Sequence, residues 1–107
     1  MNKVIIIITI MKYRSKNDII GHILEAVNSS GDNGLTKTKI MYTVFLSYAP
    51  LQKYLSVLLE KGLIKEQYKE LEEKQNQRSF FYYRITDKGR CFLQIYRDLS
   101  EMIILHR

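Results

Sequence analysis

The hydrophobic repeat changes twice along this chain. From Ile19 to Leu58 apolar residues return every three or four positions, from Ile64 to Ile85 the spacing falls to two, and from Leu93 it lengthens again. A period near 3.6 lines one side of a helix, and a period of 2 lines one side of a strand. A helical block, a strand pair and a closing helix must therefore share a core, which is an α+β arrangement. With 107 residues there is material for one such core and not two.

In the helical block, Ile19, Ile20, Ile23, Leu24 and Val27 mark a first amphipathic helix that Ser15 or Asn17 can cap. Residues 28–34 are turn formers and end it. Leu35 returns to the core. Thr36 is the expected N-cap of a short second helix through Thr43, with Ile40 and Met41 inward and Lys37 and Lys39 outward. Val44, Phe45 and Leu46 are too few and too apolar for a solvent loop, so a tight, buried turn is expected there. Ser47 caps a third helix over residues 47–61, and Pro50 falls in its first turn, where an N–H has no partner to lose. Leu51, Leu55 and Leu58 form its inner stripe, and Gly62 is its stop.

Residues 64–71 and 79–85 read as two strands around a polar tip, with Tyr83 and Ile85 inward. Thr86 caps a last helix through Leu93, Tyr96, Leu99 and Ile103. The order is α-α-α-β-β-α. A short helix, a tight apolar turn and a capped, leucine-striped helix make a helix-turn-helix, and the hairpin after it supplies a wing. The expected fold is a winged helix-turn-helix with a three-helix core, a hairpin wing and a C-terminal dimerisation helix. Residues 12–85 are the winged-helix domain, 86–107 the C-terminal helix, and 1–11 an apolar N-terminal segment.

The charge pattern points to a partner. Seventeen Lys and Arg against eleven Asp and Glu leave a net +6, and from Asp32 to Glu60 no acidic residue intervenes while Lys37, Lys39 and Lys53 occupy that span. A phosphate-facing surface has this pattern, although a solvated lysine face also does. On the third helix, Tyr48, Ala49, Gln52, Lys53 and Ser56 stand outside the leucine stripe. Gln52 can bond adenine, Lys53 guanine or phosphate, and Ser47 and Tyr48 can donate to phosphate. The DNA-facing set is completed by Thr36, Lys37 and Lys39, and by Lys74, Gln75, Asn76 and Arg78 at the hairpin tip. Over 69–78 three cations meet Glu70, Glu72 and Glu73, so only the distal part is basic, and both a minor-groove contact and a solvated tip stay open. Tyr42 and Tyr54 read as packing at the core edge. Lys12, Arg14 and Lys16 flank the DNA backbone or form a soluble lead; both readings stand.

The stretch Lys37-Thr38-Lys39-Ile40-Met41-Tyr42, then Leu46-Ser47-Tyr48-Ala49, Tyr54-Leu55, Leu58 and Gly62-Leu63-Ile64, resembles the helix-turn-helix of small archaeal winged-helix regulators and chromatin-associated proteins. Tyr83-x-Ile85-Thr86-x-Lys88-Gly89 resembles their closing strand and helix start. The likeness runs from about Ser15 to Tyr96; the apolar beginning lies outside it, and the final helix is shorter than the long dimerising helix of the chromatin members. It implies binding to double-stranded DNA, sequence-directed or general.

Other functions find little support. Cys91 is the single cysteine, in an apolar setting that suits a structural thiol, and His22 and His106 do not form a metal-ligand cluster with it. Neither G-x-G-x-x-G nor G-x-x-x-x-G-K-[ST] occurs, and no nucleophile, base and orienting group fall together, so neither an enzyme nor a cofactor or small-molecule ligand is expected. The apolar run Val4 to Met11 is far shorter than the roughly 20 residues of a membrane span. The basic Lys12-Tyr13-Arg14-Ser15-Lys16 that follows it is unsuited to signal cleavage. A cytoplasmic, nucleoid-associated protein is expected, with the run an extra strand or an appendage ahead of Met11.

The last helix carries more apolar surface than one small domain covers. Phe92, Tyr96, Leu99 and Ile103 form a stripe that Ile95, Met102, Ile104 and Leu105 widen. A homodimer joined at Phe92, Ile95, Tyr96, Leu99, Met102 and Ile103 is expected; the alternative folds this helix back over the first. The leading function is a DNA-binding transcriptional regulator, with a protein-interaction module or an architectural chromatin protein as alternatives.

Overall fold

A computed structural model describes residues 14–71 and 78–105 of the chain. The Val4 to Met11 run, the tip residues Lys74, Gln75 and Asn76, and His106 lie outside the described residues.

Helix α1 (Lys16–Ser29) begins at a reciprocal capping box: the Ser15 hydroxyl accepts the Asp18 N–H, and the Asp18 carboxylate accepts the Ser15 N–H. A 3-10 turn (Gly31–Asn33) leads to strand β1 (Leu35–Thr36), which pairs Leu35 with Tyr83 and Thr36 with Tyr82. Helix α2 (Lys37–Val44) starts at Thr36, whose hydroxyl accepts the Lys39 N–H. Helix α3 (Tyr48–Glu60) follows, and Gly62, at a φ of +72°, turns the chain out of it. Strands β2 (Ile64–Leu71) and β3 (Arg78–Ile85) form an antiparallel hairpin registered from Ile64 opposite Ile85 to Leu71 opposite Arg78. Helix α4 (Asp87–Leu105) closes the fold.

The architecture is the expected winged helix-turn-helix, with one addition. The sheet has three strands, in the order β1-β3-β2, because Leu35 and Thr36 add a short strand beside β3. Two residues show no period, so the pattern of the sequence could not reveal it. The core takes Ile23, Leu24 and Val27 from α1, Ile40 and Val44 from α2, and Leu51, Leu55 and Leu58 from α3. It is completed by Leu63, Ile64, Tyr83 and Ile85 from the sheet and Leu93 from α4, all buried.

Several expectations are corrected. Phe45, expected in a buried turn, is 63% exposed, and Tyr42, expected at the core edge, is 77% exposed. The turn is tight because Phe45 takes a left-handed conformation, φ 57° and ψ 46°, with its N–H bonded to the Met41 carbonyl. That geometry turns the ring outward while Val44 and Leu46 stay with the core. Ser47 does stand at the N-cap of α3, but its hydroxyl makes no capping bond. Cys91, expected in an apolar setting, is exposed.

Helix α4 does fold back over α1, and in doing so divides the apolar stripe. A Cβ on Gly21 would lie 2.5 Å from the Tyr96 ring, so it is the missing side chain that lets the ring rest on α1. The Tyr96 hydroxyl donates to Asp18 at 3.0 Å, and Arg97 forks onto the Glu25 carboxylate, Nη2 to Oε2 at 2.7 Å. Phe92 and Tyr96 thus pack against their own chain's core. Ile95, Leu99 and Met102 face outward, each more than half exposed.

Candidate nucleic-acid interface

Burying Leu51, Leu55 and Leu58 fixes the phase of α3, and the 100° step per residue then turns Ala49, Gln52, Lys53 and Ser56 to the opposite side. All four are exposed, as is Tyr48 in the first turn. Neither α2 nor α3 has an acidic residue in its first turn, which leaves the positive ends of both helix dipoles uncompensated. The site is an exposed helix face rich in hydrogen-bond donors, beside two helix N-termini.

One cluster on this face is tightly organised. The Lys37 ammonium, at the start of α2, donates to Gln52 Oε1 on α3 and sits 5.1 Å from the centre of the Tyr48 ring. Three residues of the expected set therefore meet at one point. Lys37 and Gln52 stand 15 positions apart on different helices, so no local pattern signalled their contact.

The other expected residues are distributed around this cluster. The Thr36 hydroxyl is occupied in capping α2, and Lys39 is exposed in the same first turn. The Ser56 hydroxyl donates back to the Gln52 carbonyl at 2.9 Å, which leaves its lone pairs as acceptors. Lys53 lies on the far flank of α3, where it borders a shallow recess with Lys16, Ile20, Tyr54 and Val57. Lys16 and Lys53 thus put two cations beside one groove between α1 and α3. Arg78 lies at the start of β3, in register with Leu71.

The hairpin is anchored in the core through Tyr83, whose burial raises its phenol pKa, with Glu66 and Tyr48 adding to the rise. Further out on the same side of the hairpin, Tyr68 and Phe81 meet edge to face at 5.4 Å, both about half exposed. On the opposite side, Lys69 lies 4.9 Å from the Tyr82 ring centre and donates to the Asn33 carbonyl, which ties the hairpin to the 3-10 turn.

A short helix, a three-residue turn, a donor-bearing helix and a hairpin in this order agree with the sequence pattern of one family, the winged helix-turn-helix, which matches residues 13–104. The chain belongs to that family. In its terms α2 and α3 are the helix-turn-helix, and β2 and β3 the wing. No curated protein sequence matches the chain. Among solved structures, MepR of S. aureus, as its G34K mutant, superposes with a TM-score of 0.68 at 15% identity, covering 92% of this chain and 67% of that one. The S. aureus MepR–DNA complex gives 0.65 at 17%, covering 92% and 66%. Sso10a-2, a DNA-binding protein from Sulfolobus solfataricus, gives 0.61 at 21%, covering 83% and 81%. The chain spans about two thirds of the length of these MepR chains.

Proposed function

We propose that this winged helix-turn-helix protein binds double-stranded DNA as a transcriptional regulator, with α3 in the major groove and the wing beside it. The observation that carries this reading is the outward side of α3. Gln52 and Lys53 stand exposed there, on a helix that up to Leu59 belongs to a run of 27 consecutive residues without a carboxylate, while the opposite side is locked into the core. Lys39 and Lys53, with Lys16 across the recess, contact phosphates; Ser47 and Tyr48 donate to phosphate oxygens at the N-terminus of α3. Lys74, Gln75, Asn76 and Arg78 extend the contact from the wing into the minor groove. MepR bound to DNA and Sso10a-2 share this fold, which supports the same reading here. Among the described residues no helix is long and apolar enough to cross a membrane.

The outward row Ile95, Leu99 and Met102 on α4 joins two copies, so that paired α3 helices read two half-sites about 34 Å apart. Titrating the protein into fluorescent duplexes tests the proposal. Random duplex is expected to bind with a dissociation constant on the order of 10⁻⁴ to 10⁻⁶ M at physiological salt, and a selected site at least roughly a thousandfold more tightly. Equal affinity for both would indicate an architectural coater, and no affinity for either would favour a protein-interaction module.

A further inference from the structure

The contact between Lys37 and Gln52 bears on which base the protein reads, an inference that rests on the DNA-binding reading above. A free glutamine carboxamide offers an acceptor and a donor side by side, which matches adenine N6 and N7. Here that pairing is broken. An ammonium has only donors, so the atom of Gln52 that faces Lys37 must be the carbonyl oxygen, and the amide orientation follows from chemistry alone. With one of its two lone pairs taken by the ammonium, and that cation beside it to repel an incoming amino group, Oε1 is a poor acceptor, and Gln52 offers chiefly the hydrogens of Nε2. Lys37 has further N–H donors, and the Tyr48 ring 5.1 Å away helps hold its ammonium in place.

We infer that Lys37 and Gln52 act as one donor-rich unit that selects a guanine, whose O6 and N7 are adjacent acceptors in the major groove. Adenine fits worse, because its N6 amino group would confront another donor while N7 alone could be satisfied. Lys37 is then a specificity-determining residue on α2 that acts partly through Gln52. Its contribution differs from that of a phosphate-contacting lysine, which favours all sequences alike.

Selecting binding sites from random duplex DNA with the parent, Gln52→Ala and Lys37→Met tests the inference, with circular dichroism confirming that each variant is folded. The base pair whose preference disappears in Gln52→Ala is the one this unit reads. It is expected to be G·C in the parent, preferred over A·T by on the order of tenfold. In Lys37→Met the same pair is expected to move toward A·T, because the freed Oε1 restores the acceptor. An A·T preference at that pair in the parent, or an unchanged preference in Lys37→Met, overturns the inference. So does a Gln52→Ala variant that alters no position. Binding to duplex without any sequence preference overturns it while leaving DNA binding intact, whereas absence of all duplex binding removes both.

Discussion

At Gly89 a single added methyl group would strike the backbone. A Cβ there would stand 2.0 Å from the Leu63 carbonyl oxygen and 2.7 Å from Ile85 Cγ1, at the crossing where α4 leaves the sheet. The same crossing is stitched by polar bonds: the Thr86 N–H to the Leu63 carbonyl at 3.1 Å, the Thr86 hydroxyl to the Gly62 carbonyl at 2.6 Å, and the Gly89 N–H to the Thr86 hydroxyl at 3.0 Å. Gly89→Ala should therefore destabilise the domain by about 3 kcal/mol, beyond the helix-propensity gain of alanine, since rigid backbone cannot give way. A thermal melt should show a loss of more than about 10 °C; an unchanged melting temperature would mean that α4 does not cross the sheet here. Single residues were also where the sequence was hardest to read. The apolar character of Phe45 argued for burial, but the left-handed backbone that makes the turn tight points its ring outward. The contact of Lys37 with Gln52 depends on how two helices cross, which is absent from any local spacing.

At the scale of elements, the helices and the hairpin were legible because each has a strong period and a capping or turn residue at its end. Thr36, Gly62 and Thr86 stand where their chemistry predicts. What stayed hidden was the way α4 divides its apolar residues. Tyr96 and Leu99 share one stripe at helical spacing, and only a glycine in the middle of α1 hinted that something approaches closely there. This α1–α4 seam also makes stability depend on pH. The Ser15 hydroxyl holds Asp18 below the ordinary carboxylate range, with Tyr96 adding to it, and the Arg97 guanidinium does the same for Glu25. Next to the seam, in a recess that Thr43 and Val44 of α2 also line, burial and the neighbouring Arg14 lower the His22 imidazole. All three groups bind protons less readily in the folded chain than in the unfolded one, so acid destabilises the fold. The His22 part is lost as pH falls below about 6.5 and the carboxylate part below about 4. Melting temperature should fall on acidification through both windows. His22→Gln should flatten the upper window and Glu25→Gln should shrink the lower; identical profiles in the parent and both variants would contradict this account of the seam.

For the whole molecule, α4 has an inner side committed to the chain's own core and an outer row, Ile95, Leu99 and Met102, left exposed. Its 19 residues span about 28 Å, long enough for two copies to pair along them. Sedimentation equilibrium at micromolar concentration is expected to give a dimer for the parent and a monomer for Leu99→Glu, because two buried carboxylates would face each other without partners. A parent monomer, or a dimer indifferent to the charge, would reject this interface. The surplus of apolar residues on the last helix was plain in the sequence, whereas their division between core and surface required the fold. The central claim, that α3 presents its outer side to duplex DNA, is tested most directly by the salt dependence of binding to a random duplex for the parent and Lys53→Ala. The logarithm of affinity should fall linearly with the logarithm of salt concentration, and removal of Lys53 should make that slope shallower by about one unit. Binding that ignores salt, or a slope unaltered in Lys53→Ala, would contradict it.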